Sequence, residues 1–590
     1  MTAIIAGLAL ATAATAQDVA DSVAPEGATA TGGQITTEAI AAARADKEAG
    51  RPVQAQNWMV AAANPLAVQA GADILAAGGT AADAFVAVQA VLGLVEPQSS
   101  GLGGGGFLLW YDAAAGQLTT LDGRETAPLA ATPRLFQTDD GAPMGFFDAV
   151  VGGLSVGVPG TPMLMEEAHR RWGRTEWPRL FDAAIAHAED GFAVSARMGA
   201  MVAGDAERLG IAAATAAYFL PGGAPLAAGE VLTNPAYAAS LRALAADGAD
   251  AFYTGPIAAE IVAAVRSSAK PGLLSEFDMA LYQVKERAPA CAAYRVYVVC
   301  GMGPPSSGGL TVGQILGTLN SFDLAGLGPD DPETWRLIGD ASRLAFADRG
   351  RYMADSDFVP VPTQGLVAPA YLQSRASLLE TDSALDAVAP GTPEFDHALN
   401  WADDVPMERP STTHVSIVDG YGNALSMTSS VENAFGSRLM AGGFLLNNQL
   451  TDFSFRSHSG GVPIANRMEP GKRPRSSMSP TIVLQDGAPV LVIGSPGGSR
   501  IIGYVAQAII AWADWDMDVQ AALSMPHGVN RFGTFDLEAG TSAEALAEPL
   551  TTMGFETNIR DLNSGLHAIE IGPSLSGGAD PRREGIALGG

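Results

Sequence analysis

Basic residues are scarce in this chain. Lys and Arg number 34 against 63 Asp and Glu, a formal charge of −29 at pH 7. That balance excludes nucleic acid and anionic membrane surfaces as partners, since both are bound through basic patches. It leaves two readings of the acidity: a solubilising surface, or a funnel for a cationic substrate. Cysteine is scarcer still, with Cys291 and Cys300 alone in "PACAAYRVYVVCGMGPP". No His or Cys cluster accompanies them and the seven histidines show no ligand spacing, which excludes a structural zinc site. One disulfide in an exported protein, or two buried thiols, both fit. Beyond the N-terminus no apolar run reaches the ~18 residues that a membrane-spanning helix needs.

The first twenty residues, "MTAIIAGLALATAATAQDVA", are apolar but too short to span a bilayer. They end in the small-x-small sequence Ala14-Thr15-Ala16 before Gln17. The stretch 1–16 is therefore predicted to be a secretory signal peptide, although a basic leading segment is missing. A periplasmic or secreted protein is expected.

Several catalytic signatures are missing too. There is no G-x-S-x-G elbow for a serine hydrolase. "GLGGGG" matches G-x-G-x-x-G at Gly101, Gly103 and Gly106, but a helix precedes it and the strand "FLLWYD" follows. A dinucleotide site needs the reverse order, and no G-K-[ST] is present. The glycines are read instead as permitting close backbone packing. Neither cysteine has a histidine partner for nucleophilic work.

What is present describes a large globular protein. The chain has 590 residues, 47% hydrophobic and 16% charged, with 69 Gly and 37 Pro. It can bury a sizeable core, as several domains or one large α/β unit. Residues 17–55 are polar and Ala/Gly-rich and read as a loose arm. "NPLAVQAGADILAAGGTAADAFVAVQAVLGLV" reads as two buried helices, with Asn64 as cap, Pro65 in the first turn and Gly78 as stop. Further helices are predicted at 161–173, capped by Thr161, and at 333–348. Helical patterns dominate 175–290. The span 380–410 is acidic and Pro-containing and reads as an exposed linker. Beyond it the pattern turns to β: "THVSIVD" and "NALSMTSSV" alternate around "GYG", and "PTIVLQ" and "PVLVIG" around "DGA". "GSPGGSR" then leads into a long apolar helix. Its successive N–H groups suit either a structural turn or an oxyanion site. Hairpins and apolar helices together predict sheets covered by helices.

The remaining chemical candidate is a threonine. A hydroxyl needs a base beside it to act as a nucleophile. When the residue is first in its chain, its own α-amine supplies that base. Such an amine titrates at about 7.7–8.0, close to neutrality. An exposed linker ending at Ser411, followed by a strand beginning with Thr412, is what cleavage to create that terminus would need.

At this point the residues resemble a known family. "GLGGGGF", "DGRETAP", "PPSSGG", "TTHVSIVD", "LLNNQLTDF", "KRPRSSMSPT" and "GSPGGSR" occur in the order found in the γ-glutamyltransferases (glutathione hydrolases), members of the N-terminal nucleophile hydrolases. The resemblance covers nearly all of the chain beyond the leader. It implies an α/β fold, the four-layer αββα sandwich, built from a precursor that cuts itself between Ser411 and Thr412. The products would be a large subunit, 17–411, and a small one, 412–590, paired as a heterodimer. Thr412 would then attack the γ-glutamyl amide of glutathione or a related compound. Water, an amino acid or a peptide would accept the acyl group, with no cofactor and no metal.

The resemblance further assigns the oxyanion to the N–H groups of Gly497 and Gly498. Arg124 would hold the substrate α-carboxylate in a bidentate pair, with Ser476 and Ser477. Gln449 and Asp452 would receive the α-amino group. Two positions depart from the family pattern. Ser430 stands where a second threonine usually supports the nucleophile. Glu432 stands where well-known members have an asparagine, and an extra carboxylate there would strengthen ammonium binding or repel the substrate carboxylate. The segment Phe453–Met468 is shorter than in members with an aromatic lid and has no Tyr. Related cephalosporin or glutaryl acylases cleave other amides with the same machinery and give the alternative function. A non-catalytic homologue that never matures is the third.

Overall fold

The computed structural model describes residues 37–397, 400–404 and 411–590. The predicted signal peptide and the stretch 405–410 lie outside the described residues.

Two seven-stranded antiparallel sheets carry the fold. The first runs Ile586–Gly589, Met59–Ala62, Thr413–Val418, Ala424–Ser430, Gly105–Asp112, Gln117–Gly123, Lys285–Arg287. The second runs Val53–Ala55, Leu575–Ala579, His567–Ile571, Ala488–Gly494, Thr481–Gln485, Tyr297–Gly301, Ala290–Tyr294. Both hairpins expected from alternation are present. Thr413–Val418 pairs with Ala424–Ser430, and Thr481–Gln485 with Ala488–Gly494.

Alternation along each strand sorts its side chains into layers. In Gly105–Asp112, Leu108 and Trp110 join an outer core with the helices Pro65–Ala76 and Ala81–Val95. Phe107, Leu109 and Tyr111 point the other way, into a core shared with the second sheet and with helices Gly308–Leu319, Pro332–Tyr352 and Ile501–Asp514. The result is helix, sheet, sheet, helix, the four-layer sandwich. Helix Ala81–Val95 is buried at every position, so its sequence is apolar all round rather than striped. Thr80 and Asp83 close its N-terminus with a capping box. Asn64, Pro65 and Gly78 bound the preceding helix as expected.

The strand Thr413–Val418 obeys the same period with polar residues. Val415 and Ile417 enter the outer core. His414 and Ser416 face the second sheet, where the Ser416 hydroxyl lies 3.2 Å from the His567 carbonyl. His414 is held between Thr428 Oγ1 at 2.8 Å and Ser416 Oγ at 3.0 Å. Burial, and His567 nearby, lower its pKa well below the usual histidine value, so it is a neutral strand support.

Three expectations change. Part of the loose arm is a helix, Glu38–Glu48, capped by Thr37. Its Lys47 donates to the carbonyls of Arg583 and Gly585, both at 2.7 Å, which docks it on the C-terminal segment. Gly160, not Thr161, is the cap of helix Thr161–Trp172, because the Gly160 carbonyl already accepts the N–H of Leu164. The linker is not wholly exposed: Trp401 is buried against Ala354, Val359 and Ala465, and Asp404 accepts from Arg475 at 2.9 Å. Cys291 and Cys300 face each other across neighbouring strands and are joined as a disulfide. Among the described residues, no helix is long and apolar enough to cross a membrane.

Candidate active site

Antiparallel register pairs Thr413 with Ser429, so Thr412 and Ser430 meet at the ends of neighbouring strands. Their hydroxyls are 3.3 Å apart. Ser430 Oγ also accepts the Glu432 N–H at 2.8 Å. Ser411 and Thr412 are both buried, and the Ser411 hydroxyl donates to the Gln98 carbonyl at 2.7 Å. The glycine run before the neighbouring strand makes this corner possible. A Cβ on Gly104 would stand 2.2 Å from the Ser430 carbonyl oxygen, so only glycine lets the two backbones approach.

The "GSPGGSR" turn ends the strand Ala488–Gly494 and opens helix Ile501–Asp514. Gly497 has a φ of 136°, and a Cβ there would meet the Tyr504 ring at 2.8 Å. Arg500 anchors the turn to Asp536 at 2.7 Å. Gly498 and Ile501 line the pocket in front of Thr412.

The other wall of that pocket is charged. It carries Arg124, Glu432, Gln449, Asp452, Ser476 and Ser477, beside Ser411, Thr412 and Ser430. Arg124, at the end of strand Gln117–Gly123, is fully buried. Its Nη2 donates to Asp452 Oδ2 at 2.5 Å and to the Arg475 carbonyl at 2.9 Å. Its Nη1 has no hydrogen-bond partner. Gln449 Nε2 donates to the same Asp452 oxygen at 3.0 Å, and Gln449 Oε1 has no partner. The "PPSSGG" turn holds the serine loop: the Ser307 N–H donates to the Ser476 carbonyl at 2.8 Å. A buried guanidinium beside an anion, with an unused donor, is the electrostatic pattern of a carboxylate site.

The chain from residue 67 to 590 matches the family model described as γ-glutamyltranspeptidase. The chain belongs to the γ-glutamyltranspeptidase family. It is 36% identical over 548 residues to a glutathione hydrolase proenzyme of Bacillus subtilis (strain 168), covering 90% of this chain and 92% of that protein. It is 36% identical over 558 residues to a glutathione hydrolase proenzyme of Escherichia coli (strain K12), covering 91% and 92%. The fold superposes with a TM-score of 0.81 on the crystal structure of a cephalosporin acylase from Bacillus halodurans, at 26% identity, over 91% of this chain and 97% of that one.

In this γ-glutamyltranspeptidase family member the pocket residues are held by neighbours that the sequence reading did not single out. Arg349 donates to Ser307 Oγ at 2.7 Å and to Ser477 Oγ at 2.8 Å, fixing both serine turns. Asn448 donates to Glu432 Oε2 at 2.6 Å. Arg583 Nη1 lies 3.5 Å from the Thr412 carbonyl. Glu125 is 3.7 Å from Arg124 Nη1. Glu125 stands next to Arg124 inside the family motif "DGRETAP", and that was the available signal. Arg349 and Asn448 act through contacts that chain order hides.

Burial pushes the Glu125 carboxyl up to about 8, against the pull of Arg124. Between the ordinary value of 4.5 and about 8 the folded chain holds a proton that the unfolded chain has released. Stability contributed this way is therefore present below that window and declines as pH rises through it. Glu125→Gln is expected to flatten this decline in the thermal unfolding midpoint; an unchanged pH slope would remove Glu125 from the account.

Proposed function

We propose that this protein is a precursor that cleaves itself between Ser411 and Thr412 and then acts as a γ-glutamyl hydrolase/transferase on glutathione and related compounds. The observation that carries this reading is the single pocket in which a strand-leading threonine faces a buried arginine–carboxylate wall. The glutathione hydrolase names of its relatives support it.

In maturation, Thr412 Oγ attacks the Ser411 carbonyl, the peptide nitrogen leaves as the Thr412 amine, and an ester joins the two residues. Water opens the ester, leaving the Ser411 carboxylate and a free Thr412. The strands of each sheet come from both sides of the cut, so residues 17–411 and 412–590 stay interleaved as a heterodimer. In turnover the Thr412 amine takes the hydroxyl proton as Oγ attacks the γ-carbonyl. The N–H groups of Gly497 and Gly498 hold the oxyanion. The amine returns the proton to the leaving nitrogen, and water or an amine acceptor releases the γ-glutamyl ester. Arg124, Ser476 and Ser477 bind the α-carboxylate, while Asp452, Gln449 and Glu432 bind the α-ammonium. Ser430 holds the nucleophile's hydroxyl. Export through a leader at 1–16 is consistent with the Cys291–Cys300 disulfide.

The likeness to a cephalosporin acylase supports a second reading, an acylase with the same nucleophile and a different acyl group. The two are separated by comparing γ-glutamyl-p-nitroanilide with glutaryl-p-nitroanilide, which lacks the α-amine. Preference for the γ-glutamyl compound is expected. Preference for the glutaryl compound replaces the substrate and keeps the nucleophile. No turnover of either, from a chain that stays whole, leaves the non-catalytic homologue.

A further inference from the structure

A second cavity, of about 710 Å³, shares no lining residue with the pocket of Thr412. Helix Phe146–Val150, the short helix Ala206–Leu209, the end of helix Pro256–Ser267 and the strand Met440–Ala441 surround it. Its walls are mostly apolar and include Phe146, Phe147, Val151, Ile211, Leu439 and Met440. Cavities of about 300–1,000 Å³ with apolar walls and a few placed polar groups are the usual form of a small-molecule site.

The charged groups of this cavity are chiefly cations, in a chain whose formal charge is −29. Lys270 is already paired. Its Nζ donates to Asp148 Oδ1 at 3.0 Å and to the Asp148 carbonyl at 2.7 Å. Arg208 and Arg438 are not paired one to one. Both bond the carboxylate of Asp205, Arg208 through Nη1 at 2.7 Å and Arg438 through Nε at 2.8 Å. Two guanidiniums on one carboxylate leave a positive charge over. Glu432 also attracts Arg438, but burial holds its carboxyl well above the usual range, which weakens that pull.

Arg438 has a donor to spare as well. Its Nη1 donates to the Gly436 carbonyl at 2.5 Å, and among the described residues no hydrogen bond uses its Nη2. The side chain is 3% exposed. Its backbone is left-handed, at a φ of 60°, which is uncommon for a non-glycine residue. The Thr215 hydroxyl holds the Arg438 carbonyl at 2.7 Å, and the Gly152 N–H holds the Ser437 carbonyl at 3.0 Å. Backbone strain of this kind clusters at ligand sites. Arg208 is 34% exposed and lies over the Phe147 ring at 3.7 Å, so charge and apolar wall meet at one place.

We propose that this cavity is a second binding site, for a small molecule with an apolar body and one carboxylate. The carboxylate takes the forked donors of Arg208 and the spare Nη2 of Arg438, which supplies the counter-charge that Asp205 gives only in part. The apolar body covers Phe147, Ile211, Leu439 and Met440. The site stands independently of the γ-glutamyl reading.

The experiment is calorimetric titration of the purified protein with decanoate, kept below the concentration at which it forms micelles. One decanoate per chain is expected, with a Kd on the order of 0.1 mM. Decyltrimethylammonium, of the same chain length and opposite charge, should give no saturable heat. Arg208→Gln should weaken decanoate ~tenfold or more, the scale of a lost charged hydrogen bond. If that variant does not fold, Ile211→Asp decides. It sets a repelling carboxylate at a position that is 59% exposed, where folding tolerates it, and the same weakening is expected. Arg124→Ala should leave decanoate binding unchanged. No saturable binding of decanoate overturns the site. So does equal binding of the cationic analogue, or unchanged affinity in the deciding variant. Loss of decanoate binding in a folded Arg124→Ala chain would place the carboxylate in the pocket of Thr412 and overturn it too.

Discussion

Thr412→Ala yields one uncut chain and no turnover. The effect is the largest expected because, in the proposed mechanism, one side chain serves both reactions. Without its hydroxyl the Ser411 carbonyl has no internal nucleophile, so the Thr412 amine is never released. Without that amine the base is also missing. The loss in kcat should be at least ~10⁴-fold, the scale seen when a catalytic nucleophile is removed. The fold should survive, since Thr412 contributes one hydroxyl contact, at 3.3 Å, to a sheet held by six strand pairings. A denaturing gel and a circular dichroism melt check both halves. Cleavage that persists in Thr412→Ala would move the nucleophile to another residue.

Arg124→Ala should abolish most γ-glutamyl turnover while leaving self-cleavage in place. Arg124 is buried, bonds Asp452 at 2.5 Å and stands 3.7 Å from Glu125. Removing it strands the neighbouring carboxyls without their cation, and breaking a buried pair costs about 3–5 kcal/mol. Losing the substrate carboxylate's buried charged partner costs binding a comparable ~3–5 kcal/mol, a drop in kcat/KM of ~10²–10⁴-fold, chiefly through KM. Arg124→Lys should recover little. A lysine cannot supply the forked donors that now reach Asp452 and the Arg475 carbonyl while keeping one free for substrate. The glutaryl compound shares the carboxylate and should lose as much. Because the glutaryl compound lacks only the amine, Arg124 and Glu432 variants separate recognition of the two substrate charges. An Arg124→Ala enzyme that matures and keeps its KM would remove the carboxylate site from this pocket.

The parts of this site that were legible in the sequence are those set by local rules. Alternation around "GYG" fixes the hairpin, and the hairpin register then puts Thr412 opposite Ser430. The reversed context of "GLGGGG" rules out a nucleotide, and the structure gives the run its packing role at Gly104. Family motifs carry Arg124, Gln449, Asp452, Ser476 and Ser477, and a departure from the family pattern marks Glu432; one pocket brings them together with Thr412. Contacts between distant segments were not legible. Arg349 reaches Ser477 across 128 positions, and nothing in "FADRGRY" marks it as a serine clamp. Helix Glu38–Glu48 is mostly alanine and charge, with Ile40 and Ala43 alone buried, so its composition resembles a loose arm. Its placement comes from Lys47 and the carbonyls of Arg583 and Gly585, more than 500 residues away. The linker's buried Trp401 and Asp404 were hidden for the same reason: the partner of Asp404, Arg475, is about seventy residues further along the chain.

The central claim is that Thr412 becomes the first residue of a chain and then carries the acyl group. The most direct test is intact-mass analysis and N-terminal sequencing of the purified protein during turnover of a γ-glutamyl substrate. Two chains of about 40 and about 18 kDa are predicted, scaled from 60.4 kDa for 590 residues, the smaller beginning at Thr412 and bearing a γ-glutamyl ester on it. Full activity from an uncut chain, or a small chain that begins at any other residue, would contradict the account.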